Sequence, residues 1–412
     1  MTISSSRLKS VRKTLIASFL FFLLFGYGLY LGQTNISVLP DRLEPANHPG
    51  FFDYSGITNV HSIRGQGSGQ INDIISAGQE AGLDYLFITD LNQFPSDSVS
   101  EGYHRQLLVM SAPEYSYLDS KLFLYDLQRR NRVDSIGQVQ VLLADLLSQS
   151  GPDAEQDLII LASPLKPGFA WSGSYPSGLD GMEIINLKSI WQKGWQNSKI
   201  SFLWSALVYP FNSHLALLRL YDEPQEEMAL WDQLGAQQKM IGIAGADATA
   251  KTGQMGNWSI KFPSYETSFR LVSNHLLLKS ELTGEAENDR RKIIRALSDG
   301  QFYISLDMLG NPKGFAAWVQ DGDKTVPLGG HVKFHPGMKL TAHLPAEPRT
   351  PYEIAFFKDG EHVESRNALQ GAYDIKSPGV YRVVVRIFTG LTLPDGNRWI
   401  SWIYTNPIYV RR

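Results

Sequence analysis

The stretch on which the fold turns is GITNVHSIRGQGSGQINDIISAGQEAGLDYLFITDLN, residues 56–92. Its pattern predicts a strand over 57–60, a Gly/Gln/Ser loop over 65–69, a helix over 71–81 and a second strand over 85–89. Ile71, Ile74, Ile75 and Gly78 recur at helical spacing and give the helix one apolar face to lay on a sheet. The nearly continuous apolar run Tyr85-Leu86-Phe87-Ile88 suits a parallel strand covered on both faces. Asn59 and His61 come at the end of the first strand, and Asp90 and Asn92 follow the second. This is a βαβ unit, and functional groups of such units gather beyond the carboxyl ends of their strands.

Further along, strands are expected over 105–114, 121–127, 158–162, 182–186, 240–244, 269–278 and 301–306, with helices over 136–147, 226–236 and 288–297. Repeated strand–helix alternation over about 250 residues predicts a (β/α) barrel. Polar residues recur where its strands end, namely His61, Asp90, Glu114, Ser163, Asn186 and Asp247. Arg64, Lys166 and Lys251 also follow strand ends, and the 65–69 loop offers backbone N–H groups before a helix, a setting that suits anions. The alternative is that these cations are solvated loop residues. The segment 198–220 is unusually apolar, with Trp191, Trp195 and Trp204 nearby. It reads as an outer barrel helix broken at Pro210, with a flap or a membrane-surface contact as the rival.

From about residue 308 the texture changes. Short alternating segments over 314–320, 332–334, 339–344, 353–358, 380–388 and 400–410 are punctuated by Asp321-Gly322, Asp359-Gly360, Pro378-Gly379 and Pro394-Asp395-Gly396. That rhythm predicts an all-β, Ig-like sandwich over 309–412. His331, His335, His343 and His362 lie there without metal-ligand spacing.

Three short motifs carry a resemblance: Ile57-Thr58-Asn59-Val60-His61, Ala81-Gly82-Leu83-Asp84 and Ile88-Thr89-Asp90-Leu91. They resemble the opening of the polymerase-and-histidinol-phosphatase (PHP) superfamily, which reads Asp-x-His-x-His, Ala-Gly-Leu-Asp and Ile-Thr-Asp-His. The resemblance implies a distorted (β/α) barrel over 51–308 and, in active members, a divalent metal cluster that activates water against phosphate esters. It implies catalytic roles for His61, Asp90 and Asp247, and metal ligation by His61, Glu114 and Asp247. Several other ligand positions differ: Asn59, Leu91, Lys121, Ser163 and Thr249 stand where the family places histidines. The surviving set suits one divalent ion (Mn, Mg or Zn) or none, and not a multinuclear cage. Asn59, Arg64, Lys121, Lys166 and Lys251 are then the residues expected to hold a phosphorylated or other anionic ligand. The exported members' closing segment is matched by Trp402-Ile403-Tyr404-Thr405-Asn406-Pro407-Ile408-Tyr409-Val410.

The ends and the composition set the surroundings. Residues 1–14 carry Arg7, Lys9, Arg12 and Lys13, and 15–32 hold an uncharged apolar run, LIASFLFFLLFGYGLYL, with no charge again until Asp41. This predicts one N-terminal transmembrane helix, an uncleaved signal anchor, with a cleaved signal peptide as the alternative. Basic residues on its amino side place the rest on the extracytoplasmic face of a bacterial-type inner membrane. Residues 33–50 read as a linker holding the globular part off the membrane. A net charge of −3 without a long basic run past the anchor argues against a nucleic-acid partner. The chain has no cysteine, which excludes disulfides, thiolate metal sites and a cysteine nucleophile. Three classes stay open: a metal-dependent phosphoesterase with a reduced metal set, a non-hydrolysing anion binder on the same barrel, and an interaction protein acting through 309–412.

Overall fold

The computed structural model describes residues 5–40, 50–92, 101–125, 135–148, 157–251, 254–255, 258–259, 262–390 and 396–412. Residues 41–49 of the 33–50 linker, the end of the 121–127 strand and the Pro394-Asp395 turn lie outside them. From the N-terminus, α1 (Ser5–Gly32) precedes β1 (Phe52–Val60), α2 (Ile71–Ala81) and β2 (Tyr85–Ile88). Next come β3 (Gly102–His104), β4 (Leu107–Ser111), the hairpin β5 (Glu114–Tyr117) and β6 (Ser120–Tyr125), α3 (Ile136–Ser148), β7 (Leu158–Ala162) and β8 (Gly181–Asn186). The helices α4 (Leu187–Asn197), α5 (Lys199–Val208), α6 (Ser213–Arg219) and α7 (Gln225–Gln237) lead to β9 (Ile241–Ala248). A ribbon of β10 (Gln254–Met255) and β11 (Trp258–Ser259) is followed by α8 (Tyr265–Phe269), β12 (Ser273–Leu278), α9 (Ala286–Asp299) and β13 (Phe302–Ser305).

The chain is mixed α/β with one large sheet. The β1 strand lies parallel to both β2 and β9; β4 continues beyond β2, and β8 then β7 beyond β9, all parallel. Both faces of these strands are covered, so they are buried along nearly their whole length, as their apolar runs require. Helix α2 buries Ile74, Ile75, Ala77 and Gly78, and Gly82 ends it at φ +75°. Gly78 lets the helix close on Leu107, to which an added Cβ would come within 2.8 Å.

Two expected elements differ. The 105–114 strand is broken, because Pro113 offers no N–H to the ladder; Glu114 instead opens the antiparallel hairpin β5–β6, tied to the end of β2 by a Leu91–Glu114 bridge. The 269–278 strand begins only at Ser273. Ser264 caps the backbone N–H of Thr267 and starts α8 ahead of it.

The C-terminal strands form two layers. One is a four-stranded sheet in the order Lys324–Pro327, Ala316–Asp321, Lys339–His343, Gln370–Asp374. The other contains Tyr352–Lys358, Gly379–Gly390 and Asn397–Thr405. The boundary expected at 308/309 is crossed by hydrogen-bonded sheet, since β13 pairs with Asn397–Thr405 while β12 pairs with both β13 and β1. The closing motif explains the join. Asn406 bonds both the N–H and the carbonyl of Gly242 (2.9 and 3.2 Å), the Tyr409 hydroxyl accepts from Met240 N–H (2.8 Å), and Arg382 makes a two-pronged pair with Asp232 on α7. At the same junction His275 is fully buried between Asp53 (2.9 Å) and Asp307 (3.3 Å) and stacks on Tyr303.

Helix α1 contains a 21-residue span, Arg12–Gly32, of mean hydropathy 2.0, long and apolar enough to cross a membrane. Residues 33–40, expected as part of a spacer, lie against the body instead. Val38 and Leu39 are buried, and Val38 exchanges backbone hydrogen bonds with Leu309 and Arg349.

Candidate functional site

Parallel pairing aligns the carboxyl ends of β1, β2, β8 and β9, so the residues that follow them share one end of the sheet. His61 N–H donates to the Ala248 carbonyl (3.0 Å) and Thr89 N–H to the Val60 carbonyl (2.8 Å), which fixes the relative height of the three strand ends. The pairing register of β1 shifts around Asn59, which sits at φ +60°; Ser163 (φ +45°) and Asp247 (φ +43°) adopt the same left-handed backbone after β7 and in β9. Three non-glycine residues so placed at neighbouring strand ends mark backbone held by its surroundings at a site.

Asp247 is the hub. His61 Nε2 lies 3.7 Å from its carboxylate, Lys188 Nζ 3.2 Å and Lys166 Nζ 3.7 Å. Glu114, also buried, is paired with Lys121 Nζ at 2.9 Å. The Phe169 ring sits under both Lys121 (4.8 Å) and Lys166 (5.9 Å), bringing the two ammonium groups to one side chain. Asp90 accepts from the Ser62 N–H (2.6 Å) and the Ser62 hydroxyl, so it orders the turn after β1. Asn59 donates to Glu183 (2.7 Å), which also accepts from Ser163 N–H and Asn186 (both 2.9 Å).

Burial sets the protonation of two of these groups. It depresses His61, and the opposing carboxylates of Asp247, Glu114 and Asp90 do not restore it, so the imidazole is neutral near neutral pH. Burial pushes the Glu183 carboxyl up to about 7 against the donors from Asn59 and Asn186. His61 Nδ1 and Asn59 Oδ1 are buried without a hydrogen-bond partner among the described residues.

The structure therefore gathers His61, Glu114, Asp247, Asn59, Lys121 and Lys166 with Asp90 beside them, while Arg64 and Lys251 are exposed at the rim. Among the described residues no group of three His, Asp or Glu side chains is placed to hold a metal ion. Two members of the expected His61–Glu114–Asp247 set, the carboxylates, are ion-paired to lysines. The 65–69 loop does not expose an anion cradle either. Gly65 and Gly67 N–H donate to the Ser62 carbonyl, Ser68 N–H to the Thr249 carbonyl, and Gly69 N–H to the Tyr265 hydroxyl, which itself donates to the His61 carbonyl at 2.7 Å. A Cβ on Gly67 would fall 1.9 Å from that carbonyl oxygen, so only glycine permits this folded-back loop.

Sequence reasoning missed Glu183 and Lys188. Glu183 is an acid inside the apolar run Met182-Glu183-Ile184-Ile185, itself a signal, because a charge in a buried strand needs dedicated partners. Lys188 stands in the first turn of α4, two residues after the strand-end Asn186, which caps that helix.

No protein-family model matches the chain, and no curated protein matches it. A solved structure is similar over 88% of this chain and 99% of its own, at TM-score 0.38 and 10% identity. It is a two-domain protein from Bacteroides vulgatus ATCC 8482 containing a predicted PHP-like metal-dependent phosphoesterase.

Proposed function

We propose that the chain is a membrane-anchored, PHP-like barrel protein whose strand-end site binds a phosphorylated or other anionic small molecule without metal-dependent hydrolysis. Three ammonium groups carry this reading: Lys121 on Glu114, and Lys166 with Lys188 on Asp247. They supply positive charge where the resemblance expects metal, and they repel a divalent ion. An ammonium group cannot turn bound water into hydroxide as a metal does, so that hydrolytic route lacks its nucleophile. It can donate three hydrogen bonds to phosphate oxygens. Lys166 and Lys188 keep 23% and 30% of their side-chain surface exposed, so an arriving anion can reach both while Asp247 stays covered. Arg64 and Lys251 at the rim add long-range attraction. The anchor is α1, with the body on the extracytoplasmic side of the membrane.

The test is thermal unfolding of the purified full chain in detergent, with inorganic phosphate and a sugar phosphate titrated at fixed ionic strength. Saturation to about tenfold above Kd stabilises the folded state by about 1.4 kcal/mol and raises the midpoint. The rise is expected in the native chain and absent in Lys166→Met/Lys188→Met. Stoichiometric bound metal, together with Mn²⁺-dependent turnover of a phosphodiester that Asp247→Ala abolishes, would overturn the proposal in favour of a working phosphoesterase.

A further inference from the structure

Helix α5 turns an apolar stripe outward. Ile200 is 81% exposed, Leu203 63% and Leu207 44%, at positions i, i+3 and i+7 on one face. The opposite face is packed: Ser205 and Val208 are buried, and Phe202 meets Trp195 of α4 and Phe262. The stripe is edged by Trp195, itself 42% exposed, with Lys199 Nζ over its ring at 5.9 Å.

What lies next to this stripe identifies its occupant. The C-terminal end of α1 docks on the same helical layer. Tyr27 meets Trp204 of α5 at 5.8 Å, and Phe25 meets Phe211 at 5.8 Å. Gly28 and Gly32, four residues apart on one face, lie against Phe211, with no room for a Cβ at Gly28. Asn212 donates to the carbonyls of Leu31 and Thr34 (3.0 Å each) while its oxygen caps α6. The α5 stripe is thus continuous with the end of the apolar helix, beside the tyrosines that suit a membrane–water boundary. Lys199, in the first turn of α5, sets an ammonium group beside the indole of Trp195 at the edge of the stripe. An apolar stripe edged by Trp and Lys has the make-up of a helix lying in a lipid interface.

We infer that α5 beds its Ile200–Leu203–Leu207 stripe into the bilayer surface, giving the body a second membrane contact beside the span. This rests on the reading of α1 as a membrane anchor. Two attachments, one crossing and one lying flat, fix the orientation of the body to the membrane; a single flexible tether would not.

The chain has no cysteine, so single-cysteine variants report cleanly. The full chain is reconstituted in phosphatidylethanolamine/phosphatidylglycerol vesicles, with a nitroxide at Ile200→Cys, Leu203→Cys or Leu207→Cys. Leu23→Cys serves as the reference in the span and Lys324→Cys as the reference in water. Collision with oxygen relative to a water-soluble nickel complex is read by power saturation. The α5 positions are expected to show an oxygen-to-nickel ratio several-fold above that of Lys324→Cys and below that of Leu23→Cys, as befits a shallow depth. Water-like ratios at all three α5 positions overturn the inference. A water-like ratio at Leu23→Cys with lipid-like ratios on α5 overturns the anchor reading alone and leaves the interfacial helix standing.

Discussion

Raising the pH should weaken the junction around His275. Burial works against a charged ring there, but the carboxylates of Asp53 and Asp307 outweigh it and push the histidine up to about 10 from an ordinary 6.5. A folded-state pKa above the unfolded one means stability that is full below about 6.5 and is lost as pH climbs through about 10. The shift amounts to about 5 kcal/mol at about 1.4 kcal/mol per pKa unit. About 3 kcal/mol of it disappears between about pH 7.5 and pH 10. The loss is large against a typical total of about 5–15 kcal/mol. Glu183 and Asp180, both pushed up to about 7 by burial, lose their share at lower pH. Buried tyrosines held above their ordinary 10, among them Tyr85, Tyr221 and Tyr303, add to the loss as pH nears 10. The part due to His275 is therefore read as the difference between the native chain and His275→Gln. Urea unfolding of the full chain in detergent micelles, followed by Trp fluorescence across this range, gives the slope. His275→Gln should start lower near neutrality and run flatter. Equal slopes for the two proteins above about pH 7.5 would refute the charged-histidine account.

Three further outcomes follow from the geometry. Lys121→Met leaves Glu114, 4% exposed, without its counter-ion and should cost about 3 kcal/mol in urea unfolding; adding Glu114→Gln should recover most of it. Gly67→Ala drives a methyl group into the His61 carbonyl and displaces the loop from Tyr265, so about 2–3 kcal/mol should be lost, together with hydrogen-exchange protection at Ser68 and Gly69. Asn406→Ala strips both side-chain bonds from Gly242 in β9 and should cost about 2–3 kcal/mol while lowering one shared unfolding transition; two separated transitions would show that the halves fold independently.

Local signals told most about the opening unit. The spacing of Ile71, Ile74, Ile75 and Gly78 and the run ending at Ile88 depend on neighbours in sequence, and α2 and β2 form where they indicate. Asp247 and His61 were legible at strand ends for the same reason, whereas Glu114, expected to close a strand, opens the next one. The loop at 65–69 was misread because its donors are consumed by Tyr265, almost two hundred residues away, which no local pattern announces. Lys188 escaped notice because its role exists only once β8 and β9 pair and bring it to Asp247. The C-terminal strands were legible one by one from alternation and turn residues. Their continuity with β13 was not, since register between distant strands is decided by packing, as at Tyr404 and Asn406.

The fastening of the closing strands to β13 and β9 has a consequence for biogenesis. β13 lacks its C-terminal sheet partner, and Gly242 its side-chain hydrogen bonds, until residues 403–409 have left the ribosome. Nascent chains arrested before residue 403 should accordingly stay open to protease over β12 and β13, and chains in which 403–409 have cleared the ribosome should be protected there.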